Sequence, residues 1–297
     1  MPASALALVV AAALIHALWN FAAKKAQGNH HFACMTALGV SLLWLPAVFV
    51  VGLDELPSWG WQAWTATAAS AVVHLAYFNA LLAGYRAADM TVVYPVARGS
   101  GPLLSSLVAV LLLGEHLGLG GALGLAGVVG GILLMAAGPA FFAKDAASAD
   151  PERQRRRKLG IAWGALTGAT IAAYSVIDGY AVKVLALSPI LYDYFCNLLR
   201  VPVSLPAVLR DRAGFLPALR RQWKHALVVA IGAPAAYILV LYAMKLAPLS
   251  RVAPARELSM LFAALIGGQL LGEGERGWRI AGAALIALGV AALAVAR

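Results

Sequence analysis

Long apolar stretches separated by short polar breaks run along the whole chain. A helix needs about 20 mainly apolar residues to cross about 30 Å of hydrocarbon. Ten stretches have about that length, at residues 3–23, 32–52, 63–84, 91–113, 118–142, 159–182, 189–209, 225–244, 251–271 and 280–296. The seventh is the most polar, because Asp193, Arg200, Pro202 and Pro206 lie within it. The pattern predicts an all-α integral membrane protein with ten transmembrane helices, or nine if the seventh stretch does not span.

The sequence repeats itself about halfway along its length. The segments RAADMTVVYPVAR at 86–98 and KLAPLSRVAPAR at 245–256 each lead into an apolar run that ends in Leu-Gly-Glu. Arg98 and Arg256 are 158 residues apart, and so are Glu115 and Glu273. We therefore expect two five-helix repeats, residues 1–143 and 159–297, joined by a basic linker at 144–158.

The number of crossings in each repeat has a topological consequence. Because five is odd, two copies in one chain enter the bilayer in opposite directions. This predicts an inverted-topology repeat with a pseudo-two-fold axis in the membrane plane. Such symmetry is the structural basis of alternating access in many secondary transporters.

Composition and charge support a membrane location and predict an orientation. Hydrophobic residues make up 62% of the chain and charged residues 12%, and the mean hydropathy is +0.81. Sixteen of the 23 Lys and Arg residues fall in the loops after odd-numbered spans. Since cytoplasmic loops carry the excess of positive charge, we expect the protein to lie in the cell (inner) membrane with these basic loops in the cytoplasm and both termini on the outer side. The net charge of +10 then reflects contact with anionic lipid, and no nucleic-acid partner is predicted.

Three features together are typical of one known family. They are the five-plus-five duplication, the WNFAAKK sequence late in the first span, and a proline shortly before an arginine, followed by LLLGE or QLLGE, in each half. The chain resembles the EamA-type members of the drug/metabolite transporter (DMT) superfamily. The resemblance implies a ten-helix secondary transporter with a central cavity lined mainly by spans 1, 3, 4, 6, 8 and 9.

The resemblance leaves the substrate and the orientation open. Members of the family carry amino acids, sugars, nucleotide sugars, phosphorylated metabolites, choline or drugs. They usually keep both termini in the cytoplasm, the reverse of what the charge distribution predicts here. A C-terminal reporter that is active only in the cytoplasm distinguishes the two orientations.

Polar residues inside the spans are the candidates for function, because an ionisable group at mid-helix costs about 2.5–3.5 kcal/mol on insertion scales. His16 and Asn20, with Trp19 beside them, share a face of span 1. Tyr174 and Asp178 occupy the equivalent positions in span 6. We expect these residues to line the cavity, with hydrogen bonding between helices as the alternative.

Arg98 and Arg256 follow closely after Pro95 and Pro254 in spans 4 and 9. A guanidinium group binds a carboxylate or phosphate through two parallel hydrogen bonds, so both arginines are candidate anion sites. The prediction is stronger for Arg98, because Glu257 is adjacent to Arg256. The alternative is an internal salt bridge with Glu257, Asp178 or Asp193.

Other polar residues complete the set. Further candidates for binding substrate are His74, Tyr77 and Asn79 in span 3, Tyr94 in span 4 and Tyr237 in span 8. Aromatic packing is the alternative for Tyr77 and Tyr237. Asp193, Asn197 and Arg200 in span 7 predict a structural ion pair. The spacing of Gly120, Gly124, Gly127 and Gly131 in span 5 predicts close helix packing.

These residues predict secondary transport of a small zwitterionic or anionic metabolite, such as an amino acid or an aminophosphonate. In this interpretation an arginine binds the acidic end and Asp178 binds the ammonium end. The first alternative is a carrier of cationic or aromatic compounds, bound by Asp178 and Trp19. A remote alternative is an intramembrane enzyme or a receptor, although the sequence contains no catalytic motif.

The sequence also leads to expectations about proton coupling, cofactors, metals and oligomeric state. Proton coupling through His16, Asp178 or Glu257 is one mechanism, and facilitated diffusion or exchange is the other. No cofactor is predicted, and His30 with His31 at a loop is too little for a metal site. A monomer contains the whole pathway, and a dimer is compatible with the sequence.

Overall fold

The computed structural model describes residues 1–26, 28–88, 90–137, 151–263 and 276–296, and within them every regular element is a helix. The α-helices are α1 (Ala3–Ala26), α2 (His30–Leu43), α3 (Leu45–Val51), α4 (Trp61–Ala87), α5 (Met90–Leu112), α6 (Leu119–Ala137), α7 (Pro151–Lys183), α8 (Pro189–Arg210), α9 (Arg212–Leu246), α10 (Leu249–Ala255), α11 (258–263) and α12 (Arg276–Val295). A 3₁₀ turn covers Leu56–Ser58. The all-α prediction with ten spans is confirmed, with α2–α3 as the second span and α10–α11 as the ninth.

The helix lengths fit a protein that spans the membrane many times. In the described part of the chain, six helical segments are long and apolar enough to cross a bilayer: Ala3–Ala23, His30–Val51, Trp61–Ala87, Val92–Leu112, Gln154–Lys183 and Arg212–Leu246. Two shorter apolar segments, Leu119–Met135 and Ile280–Val295, lie in α6 and α12.

Three regions differ from the sequence-based expectation. The second span is divided at Trp44 and the ninth at Arg256 and Glu257. The seventh is one continuous helix in spite of its two prolines. The basic run at 151–158, predicted as a linker, is helical, since a proline starts α7 and Glu152 in the first turn lies 3.7 Å from Arg155. The remainder of that linker, and Glu273, lie outside the described residues.

Both repeats contribute to each of the two compact units into which the chain divides. The first unit contains Met1–Leu6, Val73–Val176 and Leu246–Arg297, and the second contains Ala7–Val72 and Ile177–Lys245. Helices α4 and α7 each contribute residues to both units. The sequence repeats are therefore not separate compact bodies.

In the first unit, α6 packs closely on α12, its counterpart in the other repeat. A Cβ atom on Gly124 would lie 2.7 Å from the carbonyl oxygen of Gly289, and one on Gly131 would lie 2.7 Å from that of Gly282. These contacts require antiparallel helices. They are also reciprocal, because Gly282 and Gly289 follow Gly124 and Gly131 by 158 residues. Reciprocal contact between equivalent positions is the signature of a two-fold axis, as an inverted repeat requires.

The Leu-Gly-Glu motif after α5 connects the two repeats within the first unit. Gly114 has a φ of +65°, which a residue with a side chain adopts only at a cost. This turn allows the backbone N–H of Glu115 to donate to the carbonyl oxygen of Ala109, at 3.1 Å. The Glu115 carboxylate accepts hydrogen bonds of 2.8 Å from the backbone N–H groups of both Leu249 and Ser250. It thereby caps the N-terminus of α10.

In the second unit, α2 packs against its own counterpart, α8. His31, at the start of α2, contacts Asp211 just after α8, and Tyr194, early in α8, donates to the carbonyl oxygen of Ser41 near the end of α2. These contacts make the two helices antiparallel. Equivalent helices therefore pair antiparallel in this unit too, as expected for an inverted repeat.

Replacing Gly131 with alanine tests the contact between α6 and α12. The added methyl group would meet backbone of α12 at 2.7 Å, so we expect Gly131→Ala to lower the free energy of unfolding in detergent by roughly 1–3 kcal/mol. Gly130→Ala is the matched control, since its Cβ would meet only Leu285 Cδ2 at 3.5 Å. Equal thermal stability of the two variants would contradict the close approach.

Candidate functional site

An ion pair between Arg98 and Glu257 is the central feature of the first unit. Arg98 Nε lies 3.4 Å from Glu257 Oε2, and the two side chains are 15% and 6% exposed. The guanidinium carbon of Arg98 also lies 5.8 Å from the ring centroid of Tyr94. Neither Arg98 Nε nor Glu257 Oε2 has a hydrogen bond of good geometry. The pair is therefore buried but loose, because charge-assisted N–H···O bonds are normally about 2.7–2.9 Å long.

The backbone is irregular where these charges meet. The helix is interrupted at Arg256 and Glu257, which form a turn between α10 and α11. On the opposite helix, Pro102 has no N–H to donate to the carbonyl oxygen of Arg98. At membrane depth, irregular backbone is tolerated where it is buried in protein or lines a cavity, and transporters use broken helices in this way.

Aromatic side chains from two other helices lie close to the ion pair. His74 of α4 stacks on Tyr174 of α7, with ring centroids 4.0 Å apart. Tyr77 of α4 meets Tyr174 edge to face at 5.8 Å. Tyr77, Tyr94 and Tyr174 are all near enough to interact with the Arg98 charge. The cluster thus combines a cation, an anion and aromatic or hydroxyl groups.

A second polar cluster, in the second unit, surrounds Asp178. This carboxyl group is fully buried. Tyr192 donates to its Oδ1 atom at 2.6 Å and Tyr237 donates to its Oδ2 atom. Ser70 also forms a hydrogen bond with it. Protein donors therefore reach both oxygens of Asp178, which makes it a poor site for an organic cation.

The polar stripe of α8 is part of the second unit as well. Asn197 donates to Asp193 Oδ2 at 3.0 Å and accepts a bond of 3.1 Å from Arg200. The predicted ion pair is thus a chain of hydrogen bonds in which Asn197 joins the acid to the base.

The polar residues of α1 have contacts within their own helix and, through Trp19, with α9. Asn20 donates to the carbonyl oxygen of His16 at 2.9 Å, one turn earlier in its own helix. The His16 and Trp19 rings meet edge to face at 4.7 Å, and Trp19 packs where Gly232 of α9 leaves space. The Trp19 indole N–H is buried without a hydrogen bond.

Comparison with known proteins identifies the family. The sequence model of the EamA-like transporter family matches residues 3–137 and 158–295. The chain belongs to the EamA-like transporter family. It is therefore a multi-pass membrane transporter of the DMT superfamily type, acting on a small molecule in a lipid bilayer.

Other comparisons add the fold alone. One solved crystal structure of a protein matches over 100% of both chains with a TM-score of 0.76 and 16% sequence identity. No curated protein sequence matches the chain. Substrate and direction of transport therefore have to be inferred from the EamA-type chain itself.

The structure brings six of the thirteen predicted site residues together in one cluster. His74, Tyr77, Tyr94, Arg98, Tyr174 and Glu257 form the cluster of the first unit. Asp178 and Tyr237 are joined in the second unit. Asn79 is exposed on α4, and Arg256 is half-buried in the turn beside Glu257. Glu257, in the turn after α10, pairs with Arg98 of α5, which is the internal salt bridge that the sequence left open as the alternative for the arginines.

Tyr192 and Ser70 were missed as partners of Asp178. The only sequence signal was the rule that a buried acid needs donors. Donors from α4 and α8 cannot be assigned from the sequence without a tertiary structure.

Removing the hydroxyl of Tyr192 tests the Asp178 cluster. We expect Tyr192→Phe to lower the free energy of unfolding by about 1–3 kcal/mol, since a buried carboxyl oxygen loses a donor. Tyr242→Phe, at an exposed position of α9, should be close to neutral. Thermal unfolding of both variants in detergent measures this, and equal melting temperatures would count against the bond.

Proposed function

We propose that this EamA-type protein transports a small zwitterionic metabolite, such as an amino acid or an aminophosphonate, with Arg98 and Glu257 as its polar anchors. The observation that carries the proposal is the buried, loose ion pair at the interruption between α10 and α11. A zwitterion presents the same two charges as the pair itself. Its acidic group replaces Glu257 on the guanidinium, and its ammonium group takes the carboxylate.

The charged cluster of the first unit is asymmetric between the two repeats. Arg256 lies next to Glu257 in the sequence, and Glu257 pairs with Arg98. Glu257 corresponds by the 158-residue offset to Gly99, which means that the second repeat alone supplies this acid. The asymmetry supports a role beyond scaffolding, because the glycine contacts between α6 and α12 in the same unit follow the internal symmetry.

The looseness of the pair supports exchange with a ligand. Two buried charges repay their desolvation only when the geometry is excellent and the remaining hydrogen-bonding groups are satisfied. The distance of 3.4 Å between Arg98 Nε and Glu257 Oε2 is too long for that geometry. A substrate that gives the guanidinium a bidentate carboxylate or phosphonate contact improves on it. The substrate would lie beside these charges, with Tyr77, Tyr94 and the His74–Tyr174 stack as the walls of its site.

Neutralising the pair one charge at a time separates binding from folding. Arg98→Met leaves Glu257 buried without its cation, so we expect a loss of roughly 3–5 kcal/mol of stability. The double variant Arg98→Met/Glu257→Gln removes both charges and should regain most of that stability. Neither should bind a zwitterion: the rise in melting temperature that an amino acid or aminophosphonate gives the wild type should vanish, a loss of about 2 kcal/mol of binding or more.

The ligand panel for this experiment includes neutral sugars, sugar phosphates and organic cations. Full stabilisation of the double variant by the same zwitterions would overturn the proposal. Stabilisation of the wild type by organic cations alone, abolished in Asp178→Asn, would favour the alternative of a carrier for cationic or aromatic compounds.

Proton coupling through Glu257 is part of the proposal. When the acidic group of the substrate occupies Arg98, Glu257 loses its cation and becomes the group that binds the ammonium end or a proton. Because Glu257→Gln lacks the charge that binds the ammonium group, we expect it to bind substrate more weakly, to retain exchange across proteoliposomes only at high substrate concentration, and to lose accumulation driven by a pH gradient. Tyr242→Phe serves as the control, and accumulation by Glu257→Gln at the wild-type level would assign coupling to another group, such as Asp178 or His16.

A further inference from the structure

A cluster of two histidines and an aspartate lies in the second unit. His31 Nε2 is 2.9 Å from Asp211 Oδ2, and His30 Nε2 is 3.9 Å from the same oxygen. The three prospective ligand atoms all lie within 4.8 Å of one another. The histidines begin α2, whereas Asp211 follows α8, so the fold brings together residues that are 180 positions apart.

We propose that His30, His31 and Asp211 bind one divalent transition-metal ion, with zinc the best chemical match. Two imidazole nitrogens and a carboxylate oxygen are ligands that zinc commonly takes, and a water molecule would complete a tetrahedron. Metal–ligand bonds of about 2.0–2.1 Å place tetrahedral ligand atoms about 3.3 Å apart. The observed separations of 2.9 and 3.9 Å fall on either side of that value.

Gly214 of α9 lies against the cluster. A Cβ atom there would lie 2.7 Å from Asp211 Oδ2 and 2.8 Å from His31 Nε2. Any side chain at this position would therefore fill the space beside both ligand atoms. The His30 Nε2 atom is itself buried without a hydrogen bond, so one prospective ligand atom has no donor or acceptor bonded to it.

Other contacts hold the ligands in place. The His31 ring is 1% exposed and meets Phe215 edge to face at 5.9 Å. The backbone N–H of His31 donates to the Asn29 side chain at 3.0 Å, which caps α2, and the backbone N–H of Gly214 donates to Asp211 Oδ1 at 3.3 Å. In known metal sites, packing and hydrogen bonds around the ligands fix the orientation of the ligands in the same way.

The charge near the cluster selects the class of ion. Arg210 and Arg212 flank Asp211, so a site that relied on charge alone would be weak. Imidazole ligands favour zinc, cobalt and nickel, whereas magnesium and calcium prefer sets of oxygen ligands. The site should therefore discriminate strongly against magnesium and calcium.

The test uses full-length protein in detergent, purified without a polyhistidine tag and treated with a chelator. Titration with ZnCl₂ by calorimetry should give one equivalent bound, with a rise in melting temperature that MgCl₂ does not produce. CoCl₂ should give the visible absorption of tetrahedral cobalt. His30→Ala, at a half-exposed position, should weaken zinc binding about tenfold or more, as should Asp211→Asn, and both should abolish the cobalt spectrum.

His116→Ala is the matched control, because His116 is an exposed histidine outside the cluster, and it should bind zinc like the wild type. Unchanged zinc affinity in His30→Ala and Asp211→Asn, or a wild type that binds no zinc, would overturn the metal site. These measurements involve no transported substrate, so their outcome is independent of the role of Arg98 and Glu257.

Discussion

Backbone polar groups inside a bilayer must find partners within the protein, and the architecture of this chain depends on that constraint. Pro234 in α9 cannot donate to the carbonyl oxygen of Ala230, and the Trp44 indole N–H donates to it instead, at 3.1 Å. Pro254 in α10 likewise cannot donate to the carbonyl oxygen of Ser250. That oxygen accepts a hydrogen bond of 3.1 Å from the Ser106 hydroxyl instead.

Each of these replacement donors comes from another span, so a hydrogen bond missing within one helix is replaced by a contact between spans. The Glu115 carboxylate acts in the same way on the two N–H groups at the start of α10. Because α10 is held at its N-terminus and at its proline, the chain tolerates the turn at Arg256 and Glu257. That turn brings the Glu257 side chain to Arg98 and so creates the charged site.

Symmetry explains the scaffold, and its violation marks the proposed site. Equivalent helices pair antiparallel, α6 with α12 and α2 with α8, and the glycine contacts between α6 and α12 are reciprocal. Glu257, the acid that pairs with Arg98, corresponds to a glycine in the first repeat. A transporter that alternates between two related states needs similar halves, but its substrate is not symmetric. Different residues at the binding site are the expected consequence.

Most of the scaffold could be predicted from the sequence, whereas the site could be predicted only in part. Apolar length predicts the spans, and the 158-residue offset predicts the inverted repeat. The glycine spacing in α6 predicts close helix packing, and the structure shows that Gly124 and Gly131 pack against α12. Pairing depends on tertiary structure: Glu257 is adjacent to Arg256 in sequence yet pairs with Arg98. Asp211 is likewise far from His30 and His31 in the sequence, so the histidine pair alone predicted no metal site.

The most direct test of the central claim is transport by the charge-reversed variant Arg98→Glu/Glu257→Arg in proteoliposomes. The measurement is counterflow of the radiolabelled amino acid that most stabilises the wild type. The variant retains an ion pair at the same place, so a merely structural pair would leave transport near the wild-type rate. If the pair binds the substrate, the variant should fold, as judged by its melting temperature, and counterflow should fall to the background of empty vesicles. Wild-type counterflow in this variant would contradict the account.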